Sequence, residues 1–329
     1  MVRIGEKLVS ALGEAMGRLE TTFGCDRPFI GLRPFGYSDR RYFFGREGEL
    51  DALERQVEQN RFVAVVGSSG CGKSSLVSAG LRAKLENTVD HRWKWVEIRP
   101  GAVSPIRELA VGLAALTGET GDLAEACADR VERILTKSSF GLGEALASIP
   151  VLGERSRLLL FVDQFEELFR FADLWSEMNR DLVTATEHRE EATKFVRLLL
   201  TAAKMPLLPI HIIVSLRSES IGYCAGFHGL PEAVSRSQFL VPGMTRNQRE
   251  DVIRKPIQLA GGRIDPGLVQ RALNDTNDDP GQLPQLQHAM MKCWERAYLR
   301  GTRGVDQGPH LTIDDYTRIG GVVSLHCPA

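Results

Sequence analysis

The chain has 329 residues, 43% of them hydrophobic and 25% charged, and a formal net charge of −1. That length can bury a core for one full-sized domain plus a smaller one, and with no basic excess neither nucleic acid nor an anionic membrane surface is expected as the main partner. No apolar run approaches the roughly 18 residues of a membrane span, no continuous signal-peptide core opens the chain, and six scattered cysteines (Cys25, Cys71, Cys127, Cys224, Cys293 and Cys327) without a CxxC pair read as reduced thiols of a cytoplasmic protein.

Residues 1–28 stand apart. Ile4, Leu8, Leu12, Met16 and Leu19 recur near helical spacing and predict an amphipathic helix or linker. From Phe29 onward, strand-like runs alternate with helical stretches. Strands are predicted at Arg61–Val66, Trp93–Ile98, Leu158–Val162, Pro209–Ser215 and Phe239–Val241. Helices are predicted at Gly48–Gln59, Lys73–Leu85, Pro105–Leu116, Asp122–Leu135, Phe165–Phe171 and about Glu187–Lys204. This alternation specifies an α/β fold with a five-stranded parallel sheet covered by helices. Phe171–Arg189 is polar and charged without a clear period and reads as an insertion or loop.

Beyond Gly243 the apolar strands stop. Thr245-Arg-Asn-Gln248 is a capping-box pattern that opens a helix to about Leu259, and Gly261-Gly262 ends it. Further helices are predicted at Pro266–Leu273 and Leu283–Tyr298, with another start at Thr312, which makes this region a small all-helical module. The paired Trp93 and Trp95 fit a strand with one face in the core, and the seven histidines show no metal-like spacing.

One stretch carries chemistry outright. Gly67-Ser-Ser-Gly-Cys-Gly-Lys73-Ser74 follows the apolar run Phe62–Val66 and precedes a helix. It has the spacing GxxxxGK[ST] of a P-loop. Its glycines let backbone N–H groups curl around a phosphate chain, and the helix N-terminus adds unsatisfied donors and the positive end of a dipole. Lys73 is suited to the β/γ-phosphates and the Ser74 hydroxyl to Mg²⁺. Gly67, Ser68, Ser69, Gly70, Cys71, Gly72, Lys73, Ser74 and Ser75 are therefore the expected nucleotide-contacting residues.

Such a loop needs an acid for the metal. Asp163 stands at the C-terminal end of the Leu158–Val162 run, where parallel sheets present ligands, and is the expected Mg²⁺ partner with Ser74. If a helix begins just after it, Glu166 and Glu167 are one turn away, and either carboxylate could polarise an attacking water, with Glu166 favoured. Arg217 ends the fourth strand, where it could report the γ-phosphate.

Together these residues resemble a STAND NTPase, a class of signal-transduction ATPases related to AAA+ proteins. Phe43-Phe44-Gly45-Arg46-Glu47-Gly48-Glu49 is similar to the hhGRExE motif, which implies that Gly45 and Arg46 help hold the base. Asp163-Gln-Phe-Glu166-Glu167-Leu168 is similar to the extended Walker B of the NACHT branch, and Arg217 falls at the sensor-1 position. Pro280-Gly281-Gln-Leu-Pro284 resembles the lid GxP motif, which implies that Pro284 touches adenine. With Gly31-Leu-Arg-Pro-Phe35 and Gly281-Gln-Leu-Pro-Gln-Leu-Gln-His288, the pattern is most similar to the bacterial novel STAND NTPases often fused to WD-repeat sensors.

The resemblance implies a P-loop domain over 29–243, a helical lid over 244–310 and the start of a truncated winged-helix region over 311–329. It implies ATP/ADP and Mg²⁺ as cofactors, slow hydrolysis of about 10⁻⁴ to 10⁻² per second, and nucleotide exchange that moves the lid. It also implies self-association in the ATP state and an unknown effector or sensor, with a bacterial-defence role in keeping. Two alternatives are a non-hydrolysing, nucleotide-stabilised scaffold and a DNA-associated AAA+-type ATPase.

Overall fold

The structure is a computed structural model that describes residues 27–86, 92–101, 104–149, 156–178, 182–206, 208–276, 280–301 and 308–322. The helix expected within residues 1–28 lies outside the described residues except for its last two positions. The chain divides into two compact units: Arg33–Val252 with Thr276–Pro284, and Met1–Leu32 with Ile253–Asp275 and Gln285–Ala329.

The first unit holds the sheet. Its strands are β1 (Phe62–Gly67), β2 (Arg92–Ile98), β3 (Ser156–Val162), β4 (Ile210–Arg217) and β5 (Gln238–Leu240). All pairs are parallel and the order is β2-β3-β4-β1-β5. The helices are α1 (Glu47–Gln59), α2 (Lys73–Ser75, continuing through Leu76–Leu81 and Arg82–Glu86), α3 (Pro105–Ala114), α4 (Asp122–Lys137), α5 (Gly141–Ser148), α6 (Glu166–Met178), α7 (Leu182–Lys204) and α8 (Leu230–Ser237).

The apolar strand runs have a simple cause. A parallel sheet buried on both faces needs apolar residues at every position, and successive side chains go to opposite sides. Phe62, Ala64 and Val66 join Leu158, Leu160 and Val162 in the core under α3–α8. Val63, Val65, Leu159, Phe161 and Ile213 pack on the other face with α1 and α2. Register then sets the working edge: Ile98 pairs with Val162, Val162 with Val214, and Gly67 with Arg217. The residues that follow β2, β3 and β1 emerge beside the end of β4 at one carboxyl rim.

Two differences from the sequence reading have physical causes. Where an insertion or loop is expected over Phe171–Arg189, the described residues are helical: α6 runs to Met178 and α7 begins at Leu182. Leu168, Phe169, Phe171 and Ala172 anchor α6 in the core, and Ala192, Phe195, Val196 and Leu199 anchor α7. A helix with one buried anchor stripe carries a polar remainder that, taken alone, reads as loop. Similarly, the single helix expected over Lys73–Leu85 widens to π-helical winding over Leu76–Leu81, where all six residues are buried and tertiary packing outweighs regular winding.

The second unit contains the rest of α9 (Arg246–Leu259), then β6 (Arg263–Ile264), α10 (Pro266–Asp275), α11 (Leu283–Gly301), β7 (His310–Leu311) and α12 (Ile313–Arg318). The module is not wholly helical, since β6 and β7 pair in parallel. Leu286, Ala289, Met290, Cys293, Trp294 and Ala297 form the buried stripe of α11 at helical spacing. Thr312 and Asp315 form the capping box of α12. The Tyr316 hydroxyl donates to Asp275 at 3.0 Å and accepts from the Val322 amide at 3.2 Å.

Candidate functional site

The glycine-rich loop leaves β1 and enters α2, and its lysine is folded back on it. Lys73 Nζ donates to the Gly67 and Ser68 carbonyls at 2.8 and 2.9 Å. Gly70 and Gly72 have left-handed φ of 76° and 95°, a conformation glycine adopts without the Cβ clash. At Gly70 a Cβ would also meet the Gly281 carbonyl oxygen at 2.9 Å. Ser69 is exposed and Cys71 buried. The Ser75 hydroxyl accepts from the Phe35 amide at 3.0 Å, so its side chain ties down the upstream segment.

Two segments far apart in sequence meet at Asp163, which is fully buried. The Ser74 hydroxyl donates to Asp163 Oδ1 at 2.7 Å. Ser215 Oγ donates to the same oxygen at 2.7 Å and accepts from the Gln164 amide at 2.8 Å. The Gln164 backbone is held at φ 54°, the one non-glycine residue with positive φ among the described residues. Asp163 Oδ2 is buried without a hydrogen-bond donor and lies 3.2 Å from Arg99 Nη2. A carboxylate oxygen with spare acceptor capacity beside a hydroxyl is a donor set for a hard divalent cation, which takes one or two protein oxygens and fills its shell with phosphates and water. No cluster of three His, Cys, Asp or Glu residues occurs among the described residues.

The two glutamates diverge at once. Glu166, 6% exposed, has Oε1 at 2.9 Å from Arg217 Nε, and its Oε2 is buried without a donor. Glu167 is more open and accepts from Arg170 at 2.8 Å, an i,i+3 pair along the surface of α6. Adjacent helix residues point about 100° apart. With Phe165 and Leu168 in the core, Glu166 turns to Arg217 at the end of β4, while Glu167 lies against Gly101 beyond the end of β2 and pairs with Arg170.

A family model described as Novel STAND NTPase 1 matches residues 28–325. The chain belongs to this family. No curated protein matches it. Among solved structures it is similar to the ORC2 protein of Aeropyrum pernix in ADPNP–ADP complexes, with a TM-score of 0.55 and 14% identity over 86% of this chain and 68% of that one. It is equally similar to the ADP form of ORC2, with a TM-score of 0.56 and 14% identity over 92% and 73%. At this identity the likeness shows the fold alone, a five-stranded parallel sheet covered by helices.

In this STAND NTPase the Gly45-Arg46 pair packs into the fold. Arg46, 2% exposed, donates to the Pro242 carbonyl at 2.8 Å and to the Cys71 carbonyl at 3.1 Å, and pairs with Glu49 at 3.2 Å. Gln248 Nε2 donates to Glu49 at 2.9 Å, which links the start of α1 to the capping box of α9. Gly45 has φ 79°, and a Cβ there would meet the Gln248 carbonyl oxygen at 2.8 Å. Arg46 is thus a clamp on the phosphate loop's backbone. Pro284 sits half-buried in the first turn of α11, three residues after the Gly281 that lies against Gly70.

Sequence reasoning overlooked Arg99 and Ser215. Signals for both existed. Ser215 is a small polar residue near the end of the apolar run of β4, and Arg99 follows β2 just as Asp163 follows β3. Among the described residues no helix is long and apolar enough to cross a membrane.

Proposed function

We propose that this STAND NTPase binds ATP and ADP on the loop Gly67–Ser75, holds Mg²⁺ on Ser74 and Asp163, and hydrolyses ATP slowly as a signalling switch. The observation that carries the reading is the 2.7 Å hydrogen bond from Ser74 to Asp163, which joins the phosphate loop to the acid after β3 across 89 positions of sequence. On binding, Lys73 exchanges the Gly67 and Ser68 carbonyls for phosphate oxygens, a trade of two neutral acceptors for stronger charged ones.

Glu166 is the group proposed to polarise water, because its buried carboxylate keeps one oxygen without a donor. Glu167 is left as a surface partner of Arg170. ATP and ADP differ by the γ-phosphate, and Arg217, 41% exposed, is free enough to turn to it. That turn releases Glu166 in the same movement, so γ-phosphate sensing and base activation are one event. The organisation proposed is a P-loop domain over 29–243, a lid over 244–310 and a winged-helix start at 311–329, with adenine near Gly45, Arg46 and Pro284. Exchange of ADP for ATP then moves the lid and permits self-association and engagement of an effector or sensor in the cytoplasm.

The Arg217–Glu166 pair also favours a second reading, a scaffold whose base stays engaged and which binds nucleotide without turnover. Titration with a fluorescent ADP analogue, together with single-turnover ATP hydrolysis, separates these. Lys73→Ala should abolish binding or hydrolysis with the fold intact. Glu166→Gln should lower hydrolysis by about 10²-fold or more with binding retained, and Glu167→Gln should leave both within about two-fold. Absence of nucleotide binding by the intact chain refutes the proposal, and equal loss of turnover in the two glutamine variants refutes the assignment of the base.

A further inference from the structure

Arg99 has no role in the reading above, yet it reaches the most buried acid of the site. Its backbone is fixed on both sides: the Asp163 amide donates to the Ile98 carbonyl at 2.9 Å, and the Gly101 amide to the Arg99 carbonyl at 3.1 Å. From this mount its guanidinium lies 3.2 Å from Asp163 Oδ2, with Arg99 53% exposed and Asp163 fully buried. Asp163 Oδ1 is already taken by two hydroxyl donors. Oδ2 has no hydrogen-bond donor, so Arg99 meets it as a charge rather than as an aligned bond.

A carboxylate taken fully out of water needs a counter-cation, since an isolated buried charge is strongly disfavoured. Lys73 does not supply it here, because its ammonium is committed to two loop carbonyls. Arg99 does so from the solvent side. A half-exposed guanidinium on a long stem is held weakly and can leave at small cost. A divalent cation seated on Asp163 beside Ser74 would approach the same oxygen and repel the guanidinium.

We propose that Arg99 is a resident counter-cation that competes with the divalent metal for Asp163, so that metal loading requires its guanidinium to swing out to solvent. The inference rests on the reading that Ser74 and Asp163 hold the metal. It makes Arg99 a positioning residue that keeps the empty site electrically balanced and raises the metal concentration at which it fills.

The test is Mn²⁺ binding followed by electron paramagnetic resonance on the full chain, with and without ADP, for the wild type, Arg99→Gln and Arg99→Lys. Loss of a competing half-exposed pair should tighten Mn²⁺ binding in Arg99→Gln by about five-fold, the upper end for such pairs. In EDTA its thermal midpoint should fall below wild type, and Mn²⁺ should restore it. Unchanged or weaker Mn²⁺ binding overturns the proposal. Should Arg99→Gln fail to fold, Arg99→Lys carries the test: its hydrated, more compact head should tighten Mn²⁺ by about two-fold, and no change refutes competition. A wild type that binds Mn²⁺ but no ADP would overturn the nucleotide reading alone, leaving Arg99 judged by the same comparison.

Discussion

Ser215→Ala is the most informative single change, because one hydroxyl carries two obligations. It donates to Asp163 Oδ1 at 2.7 Å and accepts from the Gln164 amide at 2.8 Å, from a residue that is 1% exposed. Removing it takes a charge-assisted hydrogen bond from a buried carboxylate, a loss of about 1.5–3 kcal/mol. It also orphans the Gln164 N–H, another ~1–3 kcal/mol, at a backbone position already held in the left-handed region at φ 54°. The two losses share a site and will not add fully, so about 3 kcal/mol is expected. For the larger unit this means a thermal midpoint lower by roughly 6–12 °C. The assay is reversible denaturant unfolding with and without ADP, beside Ser215→Thr, which keeps the hydroxyl. If Ser215→Ala loses less than ~1 kcal/mol, or Ser215→Thr loses as much, the hydroxyl bridge is not what holds Asp163.

Two further outcomes follow from the same geometry. Gly70→Ala should cost stability and weaken ADP binding at least ~10-fold, because the position needs φ 76° and its Cβ would meet the Gly281 carbonyl oxygen at 2.9 Å; nucleotide titration that leaves affinity unchanged would count against a loop this tightly packed. His211 is buried against Trp93 with Nδ1 at 3.0 Å from the Val57 carbonyl, and burial, with Arg157 nearby, lowers its pKa from 6.5 to about 4. The unfolded chain therefore takes up a proton first as pH falls, so stability is full above about pH 6.5 and declines toward pH 4, by up to about 3 kcal/mol. Unfolding curves from pH 7 to pH 4 should show this decline, and His211→Gln should flatten it.

Much of the fold was legible because its signals are local. All five strands were found within one or two residues, since a sheet buried on both faces imposes unbroken apolar runs. Thr245–Gln248 and Thr312–Asp315 announced their helices because capping uses nearby donors and acceptors. The helices α5 and α8, eight residues each, are too short to show a clear period. Met178 and the early turns of α7 read as loop because their helicity is inherited from anchors elsewhere in the same helices.

The phosphate loop is the part of the site that the residues determine alone. Its geometry depends on glycines and a helix start that are neighbours in sequence. The choice between Glu166 and Glu167, the turning of the Ser75 hydroxyl to Phe35, the burial of Arg46 and the meeting of Arg99, Ser215 and Ser74 on Asp163 belong to the tertiary structure. Each depends on strand register and on which side of a helix the core claims. Those are long-range consequences of burial: the partners that decide them, Arg217 for Glu166, Phe35 for Ser75, Pro242 for Arg46 and Asp163 for Arg99, Ser215 and Ser74, all lie far from them in sequence.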